Sequence, residues 1–216
     1  MASRTKKTIY LIRHGQTDYN LRGIIQGSGV DSDINETGKK QAQSFFEYYQ
    51  DIPFDQIYAS ELKRTQQSVE PFSRIGKAPI IVPEFNEINW GIFEGLESTI
   101  ERHEIYKRII TSWKQGNFDE VVENGESPLD MINRQRIGLE KLMSKRDEET
   151  ILICSHGRAM RSFLCLLTGT DLSSMDRFAH SNLCLYILEH TGNMEFKIRT
   201  RNSVEHLKVA TDLKWS

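Results

Sequence analysis

A three-layer α/β/α sandwich around a mostly parallel central sheet is the fold class that the sequence predicts, and three observations predict it. Short apolar runs alternate with stretches of helical period, the pattern of an α/β domain with helices on both faces of its sheet. Two of those runs end alike, in YLIRHG and ILICSHG, and the carboxyl ends of parallel strands are where open α/β sheets bind ligands. No linker, repeat or low-complexity tract divides the 216 residues, so 1–216 reads as a single domain long enough to bury a real core.

The elements follow in order. TIYLIR (8–13) is a buried strand that ends in a turn at His14-Gly15. Thr37-Gly38 opens a helix with Ala42, Phe45, Phe46 and Tyr49 spaced along one face, and Pro53 stops it. FDQIYAS (54–60) is the second strand, ELKRTQQSVEPF (61–72) a helix, and PIIVP (79–83) a short strand between prolines. Residues 84–100, with Gly91 and Gly95, read as an irregular loop. A polar helix over 97–115 carries Ile105, Ile109 and Trp113 on one face, and the stretch 96–126 is a lid-like insertion beside the sheet. Ser127-Pro128 starts the next helix, with Ser as N-cap, Pro at the first helical position and Asp130 in the first turn. Its apolar face is Met131, Ile132, Leu139 and Leu142. ETILICS (149–155) is the most apolar strand; after His156-Gly157 comes the helix AMRSFLCLLTG, closed by Gly169. NLCLYILEH and MEFKIRTR form a terminal hairpin around Thr191-Gly192-Asn193.

Composition excludes several classes. The net charge of −2 gives no basic excess for general nucleic-acid binding. No apolar run approaches the roughly 20 residues that span a bilayer, and the polar, basic start MASRTKK is not a signal peptide. Cys154, Cys165 and Cys184 sit in apolar surroundings without CxxC spacing, which predicts reduced core thiols in a cytoplasmic protein. The expected partner is a small molecule, with neither nucleic acid nor membrane; a homodimer is compatible with the sequence and not required by it.

His14 and His156 carry the chemistry. Each stands at a strand's carboxyl end before a glycine that lets backbone approach a ligand closely. The helix start after His156-Gly157 leaves backbone N–H groups for an anion. Either histidine alone also fits a structural residue hydrogen-bonded in a turn; two in one α/β pattern favour a site. His103, His190 and His206 read as surface residues, and His180 falls near the pocket without a motif behind it.

Taken in order, RHGQTDYN, IQG, INETGKKQA, YASELKRTQQS, EINWGIFEG and SHG resemble the histidine phosphatase superfamily, which holds cofactor-dependent phosphoglycerate mutases and many small-molecule phosphatases. The resemblance implies a phosphoglycerate mutase-like fold and a phosphohistidine mechanism without metal or cofactor. His14 would attack phosphorus as a neutral imidazole. Arg13, Arg64 and, if protonated, His156 would surround the phosphoryl oxygens. Asn20 and the backbone around Gln26-Gly27 match further phosphate contacts of the family, and Gly157 lies at the helix start. Arg64 belongs to Ser60-x-Leu62-x-Arg64-Thr65, which matches in register; by its polar helix alone it would be a solvated residue. Glu87 would protonate the leaving alkoxide and later deprotonate water, whereas by composition alone it is a solvated loop carboxylate. Glu84 and Glu94 are read as structural.

The departures are mild: Gln16 replaces a common glutamate, and Ile34 a frequent leucine. Trp90 stands where mutases carry a substrate-contacting tyrosine, and the insertion offers scattered bases, Arg102, Lys107, Arg108 and Lys114, in place of their Arg-Arg pair. That favours a phosphatase over a mutase. A catalytically silent phosphate-binding protein is the further alternative, opposed by the presence of all five reacting residues. A metallohydrolase lacks any His-x-x-x-His or His-x-His spacing. The mixed charge of the insertion does not demand a polyanionic substrate. Its Ile105, Tyr106, Ile109, Trp113 and Phe118 would line an apolar substrate or pack the helix.

Overall fold

The computed structural model describes residues 6–212, so most of MASRTKK lies outside the described residues. Its sheet is built from β1 (Thr8–Arg13), β2 (Gln56–Ala59), β3 (Ile80–Ile81), β4 (Thr150–Ser155), β5 (Leu185–Gly192) and β6 (Glu195–Ser203) in the order β3-β2-β4-β1-β5-β6. The first four in that order run parallel; β5 is antiparallel to β1, and β6 to β5. β1 and β4 pair in full register, from Thr8 opposite Thr150 to Arg13 opposite Ser155. Both histidines therefore emerge side by side at one sheet edge.

The pleat sends alternate residues to two cores. Ile9, Leu11, Ile151 and Ile153 pack with Ile109 and Trp113 of α4 (Ile100–Lys114), Met131 and Leu139 of α5 (Pro128–Ser144), and Phe163 of α6 (Gly157–Thr168). Ile12, Ile57, Leu152 and Cys154 face Phe45 and Phe46 of α2 (Glu36–Tyr49) and Val69 of α3 (Lys63–Val69) on the opposite side. Two apolar faces covered by helices make the three layers. All three cysteines are buried and free.

Local chemistry sets the boundaries. Ser127 caps α5 in a reciprocal capping box with Asp130, as the sequence predicts. α2 starts slightly earlier than expected, because the Asn35 side chain accepts from Gly38 N at 2.9 Å and serves as the cap. The helix expected over 61–72 is α-helical only to Val69 and continues as a 3-10 turn over Glu70–Ile75, where Pro71 removes a donor. The strand expected over 79–83 shrinks to Ile80–Ile81, since Pro79 and Pro83 cannot donate to a ladder. α1 (Asp18–Arg22), a 3-10 turn at Leu172–Arg177, and α7 (Glu205–Asp212) are too short for a period to be read from the sequence.

The histidines need correction. His103 is exposed, but His190 is half-buried against Phe196, with ring centroids 5.1 Å apart, and His206 is buried. The α7 backbone lays the His206 ring edge-on to Phe45 at 5.0 Å, and burial pushes the imidazole from the ordinary 6.5 down to about 4. A histidine whose folded-state value is depressed stabilises the fold fully above pH 6.5, and that contribution is lost as pH falls toward 4. His206→Phe is therefore expected to lower the drop in melting temperature over that window, checked by thermal melts of both proteins. An equal drop would remove His206 as its source.

Candidate active site

β1 delivers Arg13 and His14 to a cavity of about 340 Å³ that is also lined by Asn20, Gln26, Glu87, Gly157, Arg158, Arg161 and His180. His14 is buried, and its Nδ1 lies 2.7 Å from the Gly15 carbonyl oxygen. A carbonyl only accepts, so Nδ1 carries the proton and Nε2 keeps the lone pair. Burial, then the charges of Arg13 and Arg64, hold the imidazole well below its ordinary 6.5, so it stays neutral at neutral pH.

Gly15 is required by a close approach: a Cβ there would meet the Gly38 carbonyl oxygen at 2.8 Å, where the N-terminus of α2 crosses the loop. Gly15 N–H donates to Ser68 Oγ at 2.8 Å, which ties the nucleophile loop to α3. At Gly157 a Cβ would meet the His180 ring at 3.0 Å.

His156 is fully buried and pinned at both nitrogens. Arg64 Nε donates to Nδ1 at 3.1 Å, so Nε2 bears the proton and donates to Ser60 Oγ at 2.8 Å. Ser60 is held in turn by Thr65, Oγ to Oγ1, at 2.8 Å. The Ser60-Leu62-Arg64-Thr65 pattern thus becomes a bracket for one imidazole. Burial first, then Arg64, drives His156 well below its ordinary value, so the ring is neutral. Arg64 is also fully buried, donating to the carbonyls of Val30 at 2.7 Å and Gly27 at 3.1 Å, and burial lowers it to about 10. Arg64 and His156 stand one layer from the cavity, the two histidine rings 5.3 Å apart.

Glu87 is buried, not solvated. Its Oε1 accepts from Ile88 N at 2.9 Å and Ala159 N at 2.8 Å, and its Oε2 from Arg158 N at 3.0 Å. A loop carboxylate thereby caps α6, whose own N-cap residue His156 makes no side-chain cap. The loop is clamped by Arg134 of α5, which sequence reasoning missed: its guanidinium donates to the carbonyls of Glu84, Asn86 and Glu87 and pairs with Glu126. Glu84 pairs with Lys141, and Glu94 accepts from Trp90 N at 2.8 Å, so both support the loop as expected.

Asn20 Oδ1 accepts from Thr17 N and Asn182 Nδ2, leaving its amide N–H₂ as the group to offer an anion. The Gln26 side chain is committed to Thr17 and Ser32. Gly27 holds the closest passage: a Cβ would meet Glu94 Oε1 at 1.9 Å. Arg13 Nη1 donates to His180 Nδ1 at 3.2 Å, while Arg13 Nε is buried without a hydrogen-bond partner among the described residues. An orphaned cationic donor on a cavity wall is a place for an anion's oxygen. Burial, then Arg13, lowers His180 to about 3.

The insertion reaches the cavity through α4. Trp113 stacks on Trp90 at 5.6 Å, Tyr106 lies 5.1 Å from Trp90, and Tyr106 and Trp90 both line the cavity. Ile109 and Trp113 are core, with Ile105 and Phe118 packed against it, so of the aromatic and apolar set only Tyr106 faces the pocket. Arg158 and Arg161 complete that wall, each donating to Asp176, and no sequence motif announced them. Among the described residues, no three His, Cys, Asp or Glu side chains group as a metal site would require. No helix among them is long and apolar enough to cross a membrane.

Comparison with known proteins gives the chain its family. The chain is 30% identical over 92% of its length to the uncharacterized phosphatase PhoE of Bacillus subtilis, covering 96% of that protein. It is 30% identical over 88% of its length to phosphoserine phosphatase 1 of Hydrogenobacter thermophilus, covering 90% of it. The crystal structure of the alpha-ribazole phosphatase from Shigella flexneri superposes with a TM-score of 0.79 at 25% identity, over 91% of this chain and 96% of that one. With residues 9–203 matching the family as a whole, the chain belongs to the histidine phosphatase superfamily, branch 1.

Proposed function

We propose that this protein is a metal-independent phosphomonoesterase that hydrolyses a small phosphorylated metabolite through a phosphohistidine on His14. The observation that carries this reading is the locked, neutral His14 ring, whose Nδ1 is held by Gly15 and whose Nε2 lone pair belongs to a cavity walled by cations.

In the first step Nε2 bonds to phosphorus as the bond to the ester oxygen breaks, and Glu87 gives that oxygen a proton. In the second step water attacks phosphorus, Glu87 takes a proton from it, and the phosphorus–nitrogen bond breaks to release phosphate. Arg13, Asn20, the backbone at Gln26-Gly27 and the Gly157 N–H bind the phosphoryl oxygens. Arg64 and His156 act from the next layer: Arg64 supplies charge and orients the His156 ring beside the nucleophile. Residues 96–126 serve as the lid-like insertion of a single domain. The buried thiols support a cytoplasmic location, and neither nucleic acid nor membrane is a partner.

Phosphate release across a panel of phosphorylated metabolites, with and without EDTA, tests this reading, with isomer interconversion followed in the same samples. Release unchanged by EDTA, without interconversion and inhibited by vanadate, is the expected result. Interconversion with little release would make the protein a mutase, and loss of release in EDTA would overturn the metal-independent mechanism.

A further inference from the structure

The cavity wall holds a histidine that the reaction steps leave unused. His180 lines the cavity with Arg13, His14 and Gly157. Its Nδ1 accepts from Arg13 Nη1 at 3.2 Å. A guanidinium only donates, so Nδ1 carries the lone pair and Nε2 the proton. The Arg13 contact is the one hydrogen bond of the His180 side chain among the described residues, which leaves the Nε2 proton without an acceptor.

Position gives that proton a direction. A Cβ on Gly157 would lie 3.1 Å from His180 Nε2 and 3.6 Å from Arg13 Nε, so both N–H groups gather over the first residue of α6. Arg13 Nε is itself buried without a partner among the described residues. Glu87 takes the amides of Arg158 and Ala159 and leaves that of Gly157. An imidazole, a guanidinium and a backbone amide thus meet at one helix start, an arrangement that fits a ligand with several oxygens.

His180 is also fixed in place. Before it, Arg161 Nε donates to the Phe178 carbonyl at 2.9 Å and Tyr186 Oη to the Ala179 carbonyl at 2.6 Å. After it, Asn182 Nδ2 donates to the His14 carbonyl at 3.1 Å and to Asn20 Oδ1 at 3.0 Å. The segment is therefore stitched to the nucleophile's own backbone, so the donor needs no reorganisation when charge develops beside it. Burial, then Arg13, Arg161 and Arg158, keeps the ring neutral. A neutral donor strengthens the grip on a transferring phosphoryl group without a further charge to retain product phosphate. Bracing Arg13 uses only Nδ1 and gives no reason for a protonated edge over Gly157.

We propose that His180 is a further catalytic residue: its Nε2–H donates to a phosphoryl oxygen in the transition state of both steps, while its Nδ1 orients Arg13 toward the same group. The proton stays on the ring throughout. This rests on the phosphomonoesterase reading and adds a residue to it.

His180→Phe keeps a ring and removes both nitrogens, whereas His180→Gln keeps one acceptor and one donor. His180→Phe is expected to lower kcat for 4-nitrophenyl phosphate and for glycerol 3-phosphate alike, by about 10- to 100-fold, the worth of a hydrogen bond to a charged group. Vanadate inhibition should weaken by a similar factor. His180→Gln should return all three readings to within about fivefold of the wild type. Full activity in His180→Phe, or His180→Gln as impaired as His180→Phe, would overturn the proposal. A measurement on the wild type stands apart from the folding of either variant: in a nitrogen-15 spectrum of the imidazoles, vanadate should shift the His180 Nε2 proton downfield, and an unmoved signal would remove the donor. If the wild type hydrolyses no phosphomonoester, the phosphatase reading falls, and the same titration still decides whether His180 donates to a bound oxyanion.

Discussion

Replacing His14 with alanine is expected to abolish phosphoenzyme formation and to cut phosphate release by about 10⁴-fold or more, the scale on which a nucleophile's removal is felt. The expectation comes from the ring's environment. Gly15 fixes the tautomer, and burial with two nearby arginines keeps Nε2 unprotonated. Nothing else in the cavity can replace it: His156 has both nitrogens committed to Arg64 and Ser60, and His180 accepts from Arg13. The check is quenching of a reaction with labelled substrate in alkaline detergent, which spares the phosphorus–nitrogen bond that acid would cleave. Label should be trapped on the wild type and not on the variant. Label retained by the variant would move the nucleophile elsewhere.

Glu87→Gln is the second large effect, and its size should depend on the leaving group. An alkyl phosphate, whose alkoxide must be protonated as it departs, is expected to slow by about 10² to 10⁴, and 4-nitrophenyl phosphate by less than about tenfold. The comparison matters because Glu87 also caps α6 through Arg158 N and Ala159 N. An amide would present N–H where one of those donors now points, and that disturbance strikes both substrates alike. The ratio of the two losses therefore isolates proton transfer. Equal losses would leave Glu87 as a cap and place the proton donor elsewhere.

The strands and most helices are legible in the sequence because their causes are local. Period and caps decide them, so β1 and the Ser127 cap fall where pattern puts them. α7 is not legible, because eight residues are too few to show a period, and its docking of His206 against Phe45 and Tyr49 is seen only in the fold. At the site, position at the ends of two strands finds His14 and His156, and the family resemblance adds Arg13, Arg64 and Glu87. What resemblance does not distinguish is a wall from its support. Arg64 and His156 lie behind the cavity, bracketed by backbone and hydroxyls. The Arg158–Asp176–Arg161 cluster joins α6 to a turn well along the chain, with Tyr106 and Lys114 brought in by α4, and only packing unites them. One signal was present: two arginines in the first turns of an otherwise apolar helix, GRAMRSFLCLL, where burial demands a reason for each charge.

The register of β1 has a consequence for how the enzyme comes into being. His14 leaves the ribosome well before the neighbours of its strand, which are β4, where Thr8 meets Thr150, and β5, where Thr8 meets Glu189. The nascent chain must keep an apolar strand unpaired until β4 has been made. Pairings so distant in sequence form slowly and leave edges open to aggregation meanwhile. A product cut short before β4 retains its nucleophile but has nothing to hold it in place, so premature termination yields inert chains and not leaky hydrolases.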